Sequence, residues 1–434
     1  MRIAFTVHKF PPESLGGTEI YTWSAARALA AQGHEVSVFY PLAEVAAAER
    51  RVRRDGVQLW RAPLPAGRPR ENPAAQYWHT FRDAAIEADF AAFLAEARPD
   101  VIHYQHVQGV SARLIALGQG RPRIVTLHDY WYFCANSQLI RPDRRVCDGP
   151  RFGWNCVDCA TARADLAPLR IARPLLALPF AYRNVYLRRL AAQVDLFLAP
   201  SEFLRGQYIR QGFPADRIRV LENGIDRARL DAPPAAPLPE PPARPHFGFL
   251  GSLAWQKGVH VLIEAFNQLP PAVALTIYGS DRTFPEYAAE LKALARHPHI
   301  RFAGALDYRS VGAALRQLDA LVVPSVWYEN SPLVIQEAYA AGAPVIASRL
   351  GALTEKVQEG VTGYLFEPGD SADLARVLKR LSAEPERLAV LRPNLRPGPD
   401  MVEHAAALAA LYAELIVSPG PPPETLASPP SPLS

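Results

Sequence analysis

Glu329 and Glu337, two carboxylates with seven residues between them, frame the stretch of this 434-residue chain best suited to chemistry. Between them, Ser331-Pro332 reads as a helix N-cap followed by proline at the first helical position, which needs no amide hydrogen. A helix over 332–341 then leaves Glu329 in the loop just upstream, at the carboxyl end of a strand over 320–323. Glu337 falls in the second helical turn, and the amides of Leu333 and Val334 point outward with the positive end of the helix dipole. Two acids able to accept hydroxyls, beside a helix end that favours phosphate, are the inventory a sugar nucleotide requires. Alone, the same residues more often amount to a solvated loop acid and a helix surface charge.

A lysine adds to the set. Phe247 to Leu250 reads as a strand, Gly251-Ser252 as a tight turn, and Lys257-Gly258 as the lead into the next helix. A cation at a strand-to-helix turn is well placed to neutralise a pyrophosphate, although a surface lysine is the commoner fate. The chain holds no Asp-x-Asp pair to carry a divalent metal on a diphosphate. It also has no Gly-x-Gly-x-x-Gly after its first strand, which argues against a nicotinamide enzyme.

The four cysteines, Cys134, Cys147, Cys156 and Cys159, fall within 26 residues and end in Cys-x2-Cys. Four thiolates satisfy a closed tetrahedral zinc site, and the polar, breaker-rich loop around them has little apolar mass to hold it. Structural zinc is the expectation; an iron–sulfur cluster and free or redox thiols are the alternatives.

These residues need a frame, and the periodicity supplies one. Short apolar runs at 2–7, 36–39, 57–60, 101–104, 123–127, 195–198 and 217–221 read as buried strands. Helical patterns at 18–31, 79–97, 108–117 and 201–211 alternate with them. The rhythm restarts with strands at 246–250, 274–278, 300–302, 320–323 and 345–347, and helices at 259–268, 285–296, 308–317, 332–341 and 371–382. Strand–helix alternation predicts an α/β protein with parallel, doubly wound sheets. The economical division is a first domain over 1–228, a proline-rich connector over 229–245 and a second domain over 246–398. A last helix, 401–417, follows a breaker-rich segment, and 418–434, with seven prolines, reads as a disordered tail.

Taken in order, these segments resemble the retaining glycosyltransferases of family 4, which have the GT-B fold. The resemblance rests on Gly16-Gly17-Thr18-Glu19, Gly33-His34-Glu35-Val36, Asp100-Val101-Ile102-His103, Thr126-Leu127-His128-Asp129 and Asn223-Gly224-Ile225-Asp226 in the first half. In the second half it rests on Pro324-Ser325, Glu329, Glu337, Gly342 to Ala347, Gly351 with Glu355, and Gly360 to Gly363. The resemblance implies two Rossmann-like domains facing across a cleft, with the 401–417 helix crossing back to the first domain. It implies a nucleotide diphosphate sugar donor, UDP- or GDP-linked, on the second domain and a glycan or lipid-linked acceptor on the first. Retention of anomeric configuration without a catalytic metal would follow, in polysaccharide or lipopolysaccharide biosynthesis.

On the family pattern, Glu329 would hold donor-sugar hydroxyls, Glu337 the ribose and Lys257 the diphosphate, with Phe302 to Leu306 beside the base. Ser331, Pro332, Leu333 and Val334 would line the same site. Gly16 and Gly17 would let backbone approach the donor, and His128 would sit near the reacting sugar. The cysteine insertion, about 130–160, would wall the acceptor cleft. One departure stands out: the family usually has arginine where Ser252 stands, and Arg282 is a candidate substitute.

Composition narrows the alternatives. With 47 basic and 43 acidic residues the chain is too balanced for nucleic-acid binding by bulk charge. No secretory signal or membrane span is read, so a cytoplasmic protein is expected. Residues 161–193 carry six arginines among Leu, Ile, Phe and Tyr and could lie on an anionic membrane surface, or form a core helix with a solvated basic face. Pro168, Pro174 and Pro179 argue there against one long helix. The rival functions are a nucleotide-sugar epimerase and a non-enzymatic zinc-ribbon module on an inert scaffold.

Overall fold

The computed structural model describes all residues except 15, 44, 47–48, 65–72, 165, 167–170, 235–236, 239, 241–244 and 418–434. The expected tail therefore lies outside the described residues, as do Pro168 and parts of the proline-rich connector. The chain divides into two compact units, one of Met1–Pro200, Leu204–Leu221 and Val402–Ser434, the other of Ser201–Phe203 and Glu222–Met401.

The first unit is built on eight strands: β1 Arg2–Thr6, β2 Glu35–Leu42, β3 Arg51–Arg54, β4 Val57–Pro63, β5 Val101–Tyr104, β6 Arg123–Thr126, β7 Leu196–Ala199 and β8 Ile218–Val220. Their order is β3-β4-β2-β1-β5-β6-β7-β8, parallel except for the β3–β4 pair. Strand β3 was invisible to periodicity because Arg-Val-Arg-Arg carries no apolar alternation, as befits an exposed edge. Central strands are buried on both faces, and Phe39, Phe90 and Phe93 interlock beneath the sheet.

The second unit has β9 His246–Leu250, β10 Ala274–Tyr278, β11 Ile300–Gly304, β12 Ala320–Val323, β13 Val345–Ser348 and β14 Gly363–Phe366. Their order, β11-β10-β9-β12-β13-β14, is all parallel and reverses direction between β9 and β12. That reversal is where an open α/β sheet opens a crevice at its strand ends. Strand β14 was masked by its own first residue. Gly363 reads as a breaker, yet a Cβ there would stand 1.9 Å from the Val345 carbonyl oxygen, so only glycine lets the edge strand dock.

Several elements differ from the sequence expectation. The 79–97 pattern is two helices, Pro73–His79 and Ala84–Ala97, because Asp83 caps the second through the Ile86 amide. The 108–117 pattern shrinks to Leu114–Leu117. No single helix spans 161–193, as expected: one helix ends at Arg163 and the next runs over Arg173–Ala191, although Pro174 and Pro179 do not break this second one. Pro174 lies in its first turn, where no amide bond is lost, and Pro179 forfeits one bond inside. Ahead of it, Trp154–Arg163 forms a helix that carries Cys156 and Cys159.

Helix Met401–Val417 packs on the first unit. Tyr412 bonds His103 at 2.7 Å, His404 bonds Tyr21 at 2.7 Å, and Glu414 takes both terminal nitrogens of Arg219. Two of these anchors are buried polar pairs, which position a helix more specifically than apolar contact alone.

Candidate active site

Lys257 and Glu329 leave the two strands that border the reversal in the second sheet. Lys257 ends a short 3-10 turn, Trp255–Lys257, after β9, and Glu329 lies in the loop after β12. Gly258 locks the two loops together. Its φ is +69°, and a Cβ there would meet the Pro324 carbonyl oxygen at 1.8 Å. The Val326 amide also donates to the Gln256 carbonyl at 3.0 Å.

The lock brings the Lys257 ammonium 2.8 Å from Glu329 Oε1. Ser325 Oγ and Trp327 Nε1 donate to the same oxygen at 2.7 and 2.9 Å. Three donors thus crowd Oε1, while Oε2 accepts no hydrogen bond from the described residues and is not sealed in. Burial alone would raise the Glu329 pKa, but the Lys257 charge and the three hydrogen bonds outweigh it and hold the carboxyl below its ordinary value. A carboxylate anchored by one oxygen and open at the other is suited to accept hydroxyl groups from a ligand.

Glu337 is placed differently. It lies in helix Leu333–Ala340 and pairs with Arg229 Nη2 at 3.3 Å, with no bond to Lys257. Burial raises its pKa against the opposing pull of Arg229, and burial lowers Arg229 to about 10. Arg229 was missed from sequence. It rides on a short helix, Arg227–Asp231, that Asp226 of the Asn223–Asp226 motif caps through the Arg229 amide at 3.0 Å.

The N-cap expectation at Ser331 is corrected. The helix starts at Leu333 with Pro332 as an extended N-cap, and Ser331 Oγ is buried without a hydrogen-bond partner. The first turn closes through the Ile335 amide on the Pro332 carbonyl, so the serine has no capping geometry to satisfy. Leu306, Leu333 and Val334 pack on one apolar cluster under this helix. Ser252 and Arg282 are both exposed, and no bond joins Arg282 to Lys257, Glu329 or Glu337 among the described residues.

In the first unit, Gly16 is the N-cap of helix Gly17–Ala31. A Cβ on Gly16 would strike the buried Glu19 carboxylate at 2.3 Å, whereas Gly17 has open space around it. The loop after β6 carries His128, whose Nε2 meets Gln105 Oε1 at 2.8 Å while Tyr21 stands edge-on to its ring. Burial, reinforced by His106, pushes the His128 pKa down to about 3 against the weaker pull of Asp129.

The four cysteines line one small cavity of about 20 Å³, and none is in a disulfide. The Gly149 amide donates to Cys147 Sγ at 3.4 Å, and Asn136 and Asn155 reach Cys159 and Cys147 at 3.8 Å. Burial, with the neighbouring thiols, pushes Cys159 up to about 12. As placed, no three or more His, Cys, Asp or Glu side chains among the described residues form a metal-holding group.

Two Rossmann-like parallel-sheet units, the second with the Lys257 and Glu329 loops meeting at its strand-order reversal, define a GT-B fold. Residues 15–229 match the family model described as Glycosyltransferase Family 4, and 244–384 match that described as Glycosyl transferases group 1. The chain belongs to this glycosyltransferase family.

Among its relatives, the glycogen synthase of Mycobacterium tuberculosis is 34% identical over 207 residues, 45% of this chain and 48% of that protein. The match therefore spans about half of that relative's length. The D-inositol 3-phosphate glycosyltransferase of Xylanimonas cellulosilytica is 26% identical over 92% of both chains. The solved structure of Anabaena Alr3699/HepE in complex with UDP-glucose superposes with TM-score 0.64 at 18% identity, covering 95% of this chain and 99% of that one. That likeness speaks for the fold.

The depressed His128 pKa sets a pH expectation. A group with a folded value near 3 and an ordinary value of 6.5 stays neutral in the native state while its unfolded form takes up a proton. Stability should therefore fall as pH drops below 6.5, and the imidazole NMR shift of His128 should stay flat from pH 5 to pH 8. A titration midpoint near neutrality would contradict the neutral ring.

Proposed function

We propose that the protein transfers a sugar from a nucleotide diphosphate sugar, UDP- or GDP-linked, to a glycan or lipid-linked acceptor with retained anomeric configuration. The observation that carries this reading is the Lys257–Glu329 pair, whose open carboxylate oxygen lies at the strand reversal of the second sheet. Glu329 Oε2 accepts hydroxyls of the donor sugar. Glu337, steadied by Arg229, holds the ribose, and the base lies by Leu306. Ser331, Pro332, Leu333 and Val334 line the donor at the helix start, and Gly16 and Gly17 let the backbone approach it.

The chemistry asks little of a nucleophile. The bond between the anomeric carbon and the phosphate oxygen breaks, and the nucleoside diphosphate leaves with the electron pair. The acceptor hydroxyl attacks on the same face and gives its proton to the departing phosphate oxygen. Lys257 and the amides of the 333–340 helix stabilise the charge that develops on the diphosphate, the term that dominates such transition states. With lysine in that role and no Asp-x-Asp pair, the reaction is read as independent of a divalent metal. Ser252 supplies no cation where the family usually has arginine, so Lys257 carries more of the load. His128, neutral at working pH, hydrogen-bonds the reacting sugar rather than exchanging a proton with it.

The cysteine loop is read as a structural zinc site, closed by small movements of thiols that already share one cavity. Elemental analysis of purified protein should return one zinc per chain. Iron in its place would favour a cluster, and absence of both would refute a metal site. The enzyme is read as cytoplasmic with a peripheral membrane contact; among the described residues no helix is long and apolar enough to cross a membrane.

The donor assignment is tested by thermal shift with UDP, GDP and ADP sugars in the presence of EDTA. The correct donor at a hundred times its Kd should stabilise the protein by about 2.7 kcal/mol. Glu329→Ala should leave binding of the bare nucleotide within about threefold but weaken the nucleotide sugar by about 10- to 100-fold, as loss of charged hydrogen bonds predicts. No shift with any nucleotide would sink the assignment, and isomerised donor without acceptor would favour an epimerase.

A further inference from the structure

Two adjacent residues after β5 meet two adjacent residues after β6. Gln105 Oε1 stands 2.8 Å from His128 Nε2, and His106 Nε2 stands 3.0 Å from Asp129 Oδ2. Both loops are anchored through their backbones. The Gln105 amide donates to the Thr6 carbonyl on β1 at 2.8 Å, and the Leu127 amide to the Leu198 carbonyl on β7 at 2.8 Å. Tyr208 donates its hydroxyl to the Asp129 carbonyl at 2.7 Å.

The two cross-links differ in charge. In the second, the Gln108 amide donates to His106 Nδ1 at 3.1 Å, so the ring proton is on Nε2 and points at the Asp129 carboxylate. The Trp131 amide holds Asp129 Oδ1 in turn, at 2.8 Å. In the first, the partner of the imidazole is a neutral amide. Its carbonyl oxygen only accepts, so it draws the His128 proton to Nε2 and leaves the lone pair on Nδ1. An acid at 105 would favour the imidazolium, whereas the amide sets the tautomer without adding charge. The other titratable groups around the ring are His106 and Asp129 on the same loops, His103 on β5 and Tyr21 on the 17–31 helix.

Gln105 is costly where it stands. It is 1% exposed, and its Nε2 is buried with no hydrogen-bond partner among the described residues. Its side chain bonds His128 alone among them. A buried donor left unsatisfied lowers stability, and an apolar side chain of similar shape would avoid that loss. A polar group that gains one contact at such a cost is best explained by what the contact does for its partner.

We propose that Gln105 is a positioning residue for the transfer: its carbonyl oxygen holds the His128 ring in the Nε2–H tautomer, so that the ring meets the reacting sugar as a hydrogen-bond acceptor at Nδ1. A sugar hydroxyl there must donate to the ring. The consequence for the reaction rests on the reading of His128 as a ligand of that sugar, but the placement of the proton does not.

The test uses the full chain, isotope-labelled at its histidine nitrogens and free of ligand, beside Gln105→Met and Gln105→Glu. The His128 signals are assigned by their loss in His128→Asn. In the unaltered protein Nε2 should read as protonated and Nδ1 as unprotonated. Gln105→Met should leave the thermal midpoint unchanged or higher and bring the two nitrogen shifts together as the tautomers mix. It should also lower kcat about tenfold, as loss of one hydrogen bond predicts, with KM for the donor changed less than about threefold. Turnover is read as hydrolysis of whichever of UDP-, GDP- and ADP-glucose stabilises the protein. Gln105→Glu should raise the titration midpoint of the ring from about 3 by about 1–3 pH units. A proton on Nδ1 in the unaltered protein, or a methionine variant with tautomer and kcat both unchanged, would overturn the proposal. So would a loss of kcat that follows a lowered thermal midpoint while the tautomer stays intact. Absence of turnover in every variant would count against the transferase reading instead, and the tautomer, read without ligand, would still decide the role of Gln105.

Discussion

The contact between Gly258 and the Pro324 carbonyl is the constraint on which the second unit's chemistry depends. Two loops that leave different strands must touch backbone to backbone for the lysine on one to reach the acid on the other. Only a residue without a Cβ fits there, and only one at ease with φ near +69°. Once the loops touch, the Lys257 ammonium supplies most of what keeps a buried carboxylate ionised. Ser325 and Trp327 complete the arrangement by saturating the same oxygen. The result is an acid whose orientation is fixed before any ligand arrives, which is what preorganised electrostatics requires.

The first unit solves a different problem with neutral groups. His103 is wholly buried between Tyr412 and Thr126, each at 2.7 Å, so its ring is held by two hydroxyls and no charge. Burial lowers its pKa well below the ordinary value, with His128 and His404 adding to the effect. His128, a strand away, is likewise kept neutral. Part of this polar network is supplied by helix 401–417, so the chain's last described helix helps set the electrostatics around the loops of β5 and β6.

Much of the frame was legible in sequence because strands and helices differ in period, and the second unit's strands at 246–250, 274–278 and 320–323 match the observed bounds. What failed did so for local reasons. Arg51–Arg54 pairs as an edge without apolar alternation, and Gly363 hid a strand by looking like a breaker. The prolines of the 173–191 helix misled because one lies in the first turn and the other's lost bond is outweighed by packing on the 154–163 helix. At the candidate site, Lys257, Glu329 and Glu337 could be singled out by motif, but Arg229 could not. Its partner is more than a hundred positions away, and no spacing rule reaches that far. Ser331 carried the right side chain for a cap, and Pro332 turned the backbone away from it.

The most direct measurement of the central claim is a double-mutant cycle on stability with Lys257→Met and Glu329→Gln. If the two side chains act as one unit, the cycle should return a coupling of about 1–3 kcal/mol near neutral pH. Because the folded carboxyl titrates below its ordinary 4.5, the coupling should persist above that value and vanish as acid protonates it. Additive effects, within about 0.5 kcal/mol at neutral pH, would mean the lysine and the acid are strangers and the account is wrong.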